Sequence, residues 1–469
     1  MKKILLPIAL FGFLFSCKTE KKEEFGMPPN VLFIMVDDLR PELNCYGSSQ
    51  IISPNIDRLA SEGLVFQRAY CQNPVCGASR ASILSGLRPT FDRFWDYQSQ
   101  VDEDAPGTQT LPQTFKENGY YTLANGKVFH NSSDTEARSW SEAVWTVKGQ
   151  SGRTMLDEDS QNYIGGTRNR GPFFEAPDVP DNAYPDGKVL ERSLSDLKRL
   201  SQMKQPFFFA VGFIKPHLPF YAPKKYWDLY DREAISIAEN RERPANAPTE
   251  LVGSPEIQFY HDRDIPYNSG DFHRTARHGY YACVSYADAM VGRLLTALDD
   301  LGLKENTIVV LLGDHGWNLG EHNFWGKHNT MHPAVNAPLI IRVPGITEGQ
   351  QSEALVEFVD VYPTLCELSG ITVPEHVQGK SFSPLLKEPD QPWKKAVFSR
   401  YQYGDAVITE KYIYTKYRQD SLSSSMLYDL EKDQDENLNV VDQPAYEAVV
   451  KKLNDYLKKG SHTSPKSEL

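Results

Sequence analysis

Acids, imidazoles, cations and a thiol recur along this chain in short clusters suited to holding a metal ion and attacking an ester. Asp37-Asp38 closes one apolar run, residues 31–36, and Asp314-His315 closes another, Thr307–Gly313. Neighbouring carboxylates that share a site repel, so such a pair is unfavourable unless a cation neutralises it. Oxygen-rich ligation favours a hard divalent ion, and Ca²⁺ accepts the irregular geometry that loops provide. A nitrogen from His315 is unusual in that company. Alone, Asp37-Asp38 reads equally well as a capped, solvated turn; the second cluster argues for metal. Cys76 lies in Cys76-Gly77-Ala78-Ser79-Arg80. A lone cysteine is ordinarily a small buried hydrophobe. Gly126-Lys127 precedes His130, and a spacing of three lets cation and imidazole face one site where the backbone turns. His217 closes Lys215-Pro216-His217, and Lys327 closes Trp325-Gly326-Lys327. Taken singly, Lys127, His130, His217 and Lys327 each read as surface or structural residues.

These groups depend on the elements around them. Residues 31–36 and 307–313 are continuous apolar runs, the mark of central strands in a parallel sheet buried on both faces. Open α/β folds place their sites beyond the carboxyl ends of such strands, where both acid clusters fall. Residues 206–213 predict another buried strand running into His217, and 65–70 and 337–343 predict two more. Helices are expected at 56–63, 79–84, 111–118 with Gly119 as its stop, 281–298 and 355–368. Two polar, turn-rich stretches, 131–187 and 232–275, break this rhythm. They are expected to wall the pocket and to help determine substrate choice. After a loop-like stretch around 384–392 come short strands at 396–400, 406–409, 411–417 and 426–430, then a helix at 445–457. The expected class is α/β with a small α+β C-terminal domain.

With 469 residues the chain can build one large core and a smaller domain. A 40% hydrophobic and 12% aromatic content excludes an intrinsically disordered chain. The net charge of -12 argues against a dedicated nucleic-acid binder, while a local basic pocket still suits an anionic substrate. Six cysteines do not make a disulfide framework in a chain of this size. Cys45, Cys71, Cys283 and Cys366 are unassigned, a Cys45–Cys71 bridge being one conceivable pairing. Lys2-Lys3 and the apolar residues 4–15 read as a signal peptide, too short to anchor in a bilayer. Leu14-Phe15-Ser16-Cys17 looks like a bacterial lipobox. The expected divisions are a signal peptide (1–16), a tether (17–28), a catalytic domain (29–387) and a C-terminal α+β subdomain with tail (388–469). The expected product is an exported lipoprotein anchored through Cys17, in the periplasm or on the outer membrane.

Together, CGASRASILSGLRP, GKVFH, KPHLPF and DHGWNLGEH resemble the type I, formylglycine-dependent sulfatases of the alkaline-phosphatase-like superfamily. The pattern is that of the branch containing iduronate-2-sulfatase, and its motifs run through residues 30–345. The resemblance implies a mixed, mainly parallel sheet flanked by helices, with an antiparallel sheet in the smaller C-terminal domain. It further implies that a formylglycine-generating enzyme oxidises Cys76 to 3-oxoalanine. Ala78 stands where the family pentapeptide usually has Pro, a replacement the maturation machinery accepts. One Ca²⁺ is implied on Asp37, Asp38, Asp314, His315 and position 76.

The implied catalytic set is Cys76, Arg80, Lys127, His130, His217 and Lys327. An oxygen of the hydrated aldehyde attacks sulfur, while the metal, Arg80, Lys127, Lys327 and protonated His217 stabilise the transition state. His217 gives the leaving alcohol its proton, and His130 acts as the base that releases sulfate. Lys215 is expected outside the direct chemistry. Arg93, Trp95, Trp317 and Trp325 are candidate sugar or carboxylate contacts, since aromatics stack on sugars and Arg pairs carboxylates. Packing is the commoner use of each, and Arg274 and His261 are weaker candidates still. The implied substrate is a sulfated oligo- or polysaccharide. An algal polymer such as ulvan leads, because a lipoprotein suits extracellular glycan foraging. A 2-sulfated iduronate or uronate of heparan or dermatan type is the alternative. Two other readings stay open: a phosphate or phosphonate ester hydrolase of the same superfamily, separated by its turnover, and a non-catalytic glycan-binding lipoprotein, which would carry no aldehyde at position 76.

Overall fold

The computed structural model describes residues 28–163, 170–419 and 422–460, so the expected signal peptide and the expected lipobox with Cys17 lie outside the described residues. Seven strands form the central sheet: β1 (Asn30–Val36), β2 (Leu64–Phe66), β3 (Tyr121–Gly126), β4 (Phe207–Phe213), β5 (Thr307–Gly313), β6 (Leu339–Arg342) and β7 (Gln350–Ser352). Their order is β7-β2-β6-β5-β1-β4-β3. Strands β5, β1, β4 and β3 run parallel to one another, and β6 lies antiparallel to both β5 and β2. This is the mixed, mainly parallel sheet expected.

Both faces of the sheet are covered. Strand β1 sends Leu32, Ile34 and Val36 into one core and Val31, Phe33 and Met35 into the other. Strand β5 divides its residues in the same way. Strands buried on two sides have no solvent face to make polar, which is why both read as uninterrupted apolar runs. Helices α1 (Pro54–Glu62), α4 (Pro185–Leu200) and α5 (Gly270–Asp300) pack on the first face. Helices α2 (Cys76–Ser85), α3 (Leu111–Glu117) and α6 (Val361–Leu368) pack on the second. The C-terminal part is an antiparallel meander of β8 (Val397–Tyr401), β9 (Gly404–Ile408), β10 (Tyr412–Gln419) and β11 (Leu422–Asp429), as expected. Helix α7 (Glu447–Gly460) covers it through Leu453 and Leu457, which share a core with Phe398, Val407 and Leu427.

Several elements depart from expectation. Residues 65–70 are not one strand: Leu64–Phe66 joins the central sheet, whereas Ala69–Tyr70 pairs with Val356–Glu357 in a separate ladder. Residues 355–368 are not one helix either. Glu357 pairs with Arg88 and Lys394 while its N–H donates to Asp360, so the chain enters through a tight turn and α6 starts only at Val361. Helix α5 starts earlier than its apolar spacing suggests, because Ser269 caps it by accepting from the Phe272 N–H. Cys45 and Cys71 are free thiols, so the conceivable bridge between them is not formed. Among the described residues no helix is long and apolar enough to cross a membrane.

Candidate active site

Four adjacent parallel strands converge on one place at their carboxyl ends. Strand β1 runs into Asp37-Asp38, β5 into Asp314-His315, β3 into Lys127, and β4 into the loop that carries His217. Asp38 has left-handed backbone (φ 60°), which Asp tolerates better than most residues. Its N–H donates to Asp314 Oδ1 (3.1 Å), and its carbonyl accepts from the Tyr280 hydroxyl (2.8 Å). Cys76 is the first residue of α2, all of whose residues are buried. Its Sγ lies 3.3 Å from His315 Nε2 and 3.9 Å from Asp38 Oδ1, and it marks where the oxygens of a hydrated aldehyde would stand. Gly77 is required beside it, since a Cβ there would fall 2.2 Å from the Tyr97 carbonyl oxygen. The Gly316 carbonyl lies 3.0 Å from His315 Nδ1, which assigns the proton to that nitrogen and leaves the Nε2 lone pair facing Cys76.

The donor set suits a divalent ion. Asp37, Asp38, Cys76 and His315 bring ligand atoms within 4.8 Å of one another, all buried. Buried Asp37 Oδ1 has no hydrogen-bond partner, and a cation would satisfy it. Burial, Cys76 and Asp37 all disfavour charge on Asp38, and Lys327 and His315 counter them. At Asp37 burial is outweighed by Lys127 and Arg80, which hold that carboxyl well below its ordinary range. Asp314, the remaining ligand expected, has its Oδ1 3.7 Å from His315 Nε2. Its Oδ1 accepts from the N–H groups of Asp38 and His315 (both 3.1 Å), and its Oδ2 accepts from Arg80 Nε (2.8 Å). These bonds fix the turns that carry Asp38 and His315.

Three carboxylates face three cations: Lys127 pairs with Asp37, Arg80 with Asp314, and Lys327 Nζ lies 2.7 Å from Asp38 Oδ1. Burial opposes charge on both lysines, but Asp37 holds Lys127 above its ordinary value and Asp38 holds Lys327 well above. A divalent ion added to this balanced set leaves excess positive charge for an anion. Arg80, expected among the cations around the transition state, does not line the cavity, and its Nη2 lies 3.4 Å from Asp37 Oδ1. It is fully buried, with Nη1 on the Lys127 and Val128 carbonyls, and it braces the strand ends. Burial and Asp37 push the Cys76 thiol up to about 12, the opposite of what a thiolate nucleophile needs.

The cluster forms the floor of a cavity of about 610 Å³, where Cys76, Lys127, His130, His217 and Lys327 are exposed to a ligand. Burial and Lys127 push His130 down to about 3, so it is an unprotonated imidazole at neutral pH. Burial and Lys327 likewise push His217 well below its ordinary value, against the expectation of a positive charge there, while Glu256 at 3.7 Å works the other way.

The proposed sugar contacts lie elsewhere. Trp317 and Trp325 are 0% and 1% exposed, Trp317 lying beneath the Lys327 ammonium at 4.9 Å. Trp95 packs on Tyr403, and Arg93 donates to the Arg88 carbonyl. None of the four lines the cavity, nor do Arg274 and His261. Lys215 is buried and donates to the carbonyls of Gly152 (3.1 Å), His217 (3.0 Å) and Pro219. The cavity wall instead includes Tyr97, Arg153, Arg170, Glu256, Phe259 and His328. Lys327 and His217 outweigh burial at Glu256 and hold it at about 2. Of these, Arg153, Arg170, Glu256 and Phe259 belong to the two irregular stretches, which have no periodicity to single out a residue. His328 directly follows Lys327, an adjacency that was available in the sequence.

A family model described as Sulfatase matches residues 29–371, and one described as N-sulphoglucosamine sulphohydrolase, C-terminal, matches 320–463. Over 395 residues the chain is 39% identical to iduronate 2-sulfatase of Homo sapiens, covering 75% of this chain and 71% of that one. It is 28% identical to an ulvan-active sulfatase of Formosa agariphila, covering 97% and 86% of the two chains. Among solved structures, a phosphonate monoester hydrolase from Silicibacter pomeroyi superposes with a TM-score of 0.77 at 21% identity, over 92% of this chain and 94% of that one. At that identity the likeness is one of fold.

Proposed function

The chain belongs to the sulfatase family and is a sulfuric ester hydrolase; on that premise we propose that it removes the 2-O-sulfate of a uronate, iduronate foremost, in a glycosaminoglycan-type glycan. The observation that carries the chemistry is Cys76 at the head of α2, facing Asp38 and His315, with Lys127 and Lys327 beside it on one cavity floor. The choice of sugar is favoured by 39% identity to the iduronate 2-sulfatase against 28% to the ulvan-active sulfatase. That reverses the order in which the sequence ranked the two.

Converted to formylglycine, position 76 supplies as its hydrate one hydroxyl to attack sulfur and a second whose deprotonation breaks the bond to the sulfated oxygen, expelling sulfate and restoring the aldehyde. Asp37, Asp38, Asp314, His315 and position 76 would hold a divalent ion; Ca²⁺ fits a set with three carboxylates, and its charge would favour an ionised hydroxyl on the hydrate and offset the charge of the sulfate. Lys127 and Lys327 bind the sulfate oxygens and take up charge in the transition state. His217, neutral in the free site, faces the leaving oxygen, and Glu256 at 3.7 Å from Nε2 favours the protonation that lets it pass a proton to the alcohol. His130, neutral because buried beside Lys127, accepts the proton of the remaining hydroxyl. Arg80 holds Asp314 and the Lys127 backbone in register. Anchorage through Cys17 and the division near residue 387 belong to the same proposal.

The test is sulfate release by protein produced together with a formylglycine-generating enzyme. Oligosaccharides ending in 2-sulfated iduronate should yield sulfate, and Cys76→Ala should yield none. Release from ulvan with none from 2-sulfated uronate would overturn the choice of sugar and leave the sulfatase chemistry standing.

A further inference from the structure

The cavity has a second positive pole away from its floor. Arg153 and Arg170 line it, both from the first irregular stretch. Arg153 Nε donates to the Tyr260 hydroxyl (3.1 Å), which commits one of its donors and leaves the terminal nitrogens of the fork for a planar anion. The Arg170 guanidinium lies 4.7 Å from the Phe259 ring centroid and 5.9 Å from that of Tyr260. Tyr260 is 1% exposed, so both arginines rest on a fixed support. Lys215 ties this arm to the floor. Its Nζ donates to the carbonyl of Gly152, next to Arg153 in sequence, and to that of His217.

Glu256 stands between the two poles. Its carboxylate is 3.6 Å from Lys327 Nζ, 3.7 Å from His217 Nε2 and 4.0 Å from Arg170 Nη1. The cavity thus runs from cation through anion to cation. A ligand with a single sulfate engages the floor alone. A sugar that carries a second anion beyond its sulfate ester engages both poles, with hydroxyls between them able to donate to Glu256.

We propose that Arg153 and Arg170 form a carboxylate-recognition subsite that selects sugars bearing a carboxylate beside the sulfate ester. The inference rests on the uronate reading above and deepens it by naming the side chains that read the acid. Both arginines are specificity residues that bind the substrate away from the reacting atoms, so their effect falls on KM.

The test uses the matured full-length protein with Arg153→Gln, Arg170→Gln and the double variant on three probes. These are a disaccharide ending in 2-sulfated iduronate, its carboxyl-reduced analogue, and a small aryl sulfate. The parent should prefer the carboxylated disaccharide over the reduced one by about 10–100-fold in kcat/KM, as expected for losing a charge-assisted pair. Each Gln variant should lose about tenfold on the carboxylated probe through KM, and the double variant should lose the preference. Unchanged aryl sulfate turnover then shows an intact fold and floor. Equal losses on all three probes, or a preference that survives the double substitution, would overturn the subsite while leaving the uronate reading in place. A parent that turns over the aryl sulfate and neither disaccharide overturns the uronate reading and the subsite with it.

Discussion

At Cys76 the surroundings that suppress a thiolate are those that would serve an oxygen nucleophile beside a cation: buried carboxylates, an imidazole lone pair and two charged lysines. Cys76→Ala should therefore abolish turnover, by more than about 10³-fold, with an unchanged thermal transition. Lys327→Ala should lower kcat/KM by about 10²–10³-fold, the usual effect of removing one group that stabilises transition-state charge. Steady-state kinetics on the same sulfate ester measures both, and a loss below tenfold for Lys327→Ala would remove it from the sulfate site. At this scale the sequence was informative wherever a reactive residue sat in a compact motif. It named every floor residue of the cavity. It did not disclose that Arg80 is fully buried against Asp37 and Asp314, because a cation in a motif shows its charge and not its contacts. It missed Glu256 and Arg153, which become part of the site only through long-range packing.

The elements position the floor through close backbone approach. Gly212, near the end of β4, pairs with Gly126 of β3, and a Cβ on it would sit 1.9 Å from the Lys127 carbonyl oxygen. Gly212→Ala should therefore part the two strand ends. The expected destabilisation is about 1–3 kcal/mol, the usual range for overpacking, with more than about a tenfold loss in kcat/KM. Thermal unfolding read beside kinetics checks it, and a wild-type value for both would contradict the account. The strands that carry the site were legible because burial on both faces leaves an unbroken apolar run, as in β1 and β5. The stretch 355–368 was not, because Glu357, Arg88 and Lys394 come together only in the fold and their pairing decides where the helix begins.

At the scale of the molecule, the connection between β11 and α7 packs onto the catalytic body through Glu436. Its Oε2 accepts from the His332 N–H (2.9 Å), and burial raises the carboxyl from its ordinary 4.5 to about 8. The folded state therefore binds this proton more tightly than the unfolded chain. The stabilisation is complete below pH 4.5, declines as pH rises and is lost above about 8. Glu436→Gln should remove that dependence: between pH 5 and 9, the parent's Tm should fall relative to the variant's until about pH 8 and then run parallel. Parallel curves throughout would contradict a protonated Glu436. The most direct measurement for the whole account is mass spectrometry of the peptide spanning Cys76, taken from a preparation that releases sulfate. The account predicts that the thiol sulfur is gone and an aldehyde, or its hydrate, is in its place, in proportion to activity. Full sulfate release by protein whose Cys76 is entirely unmodified would contradict it.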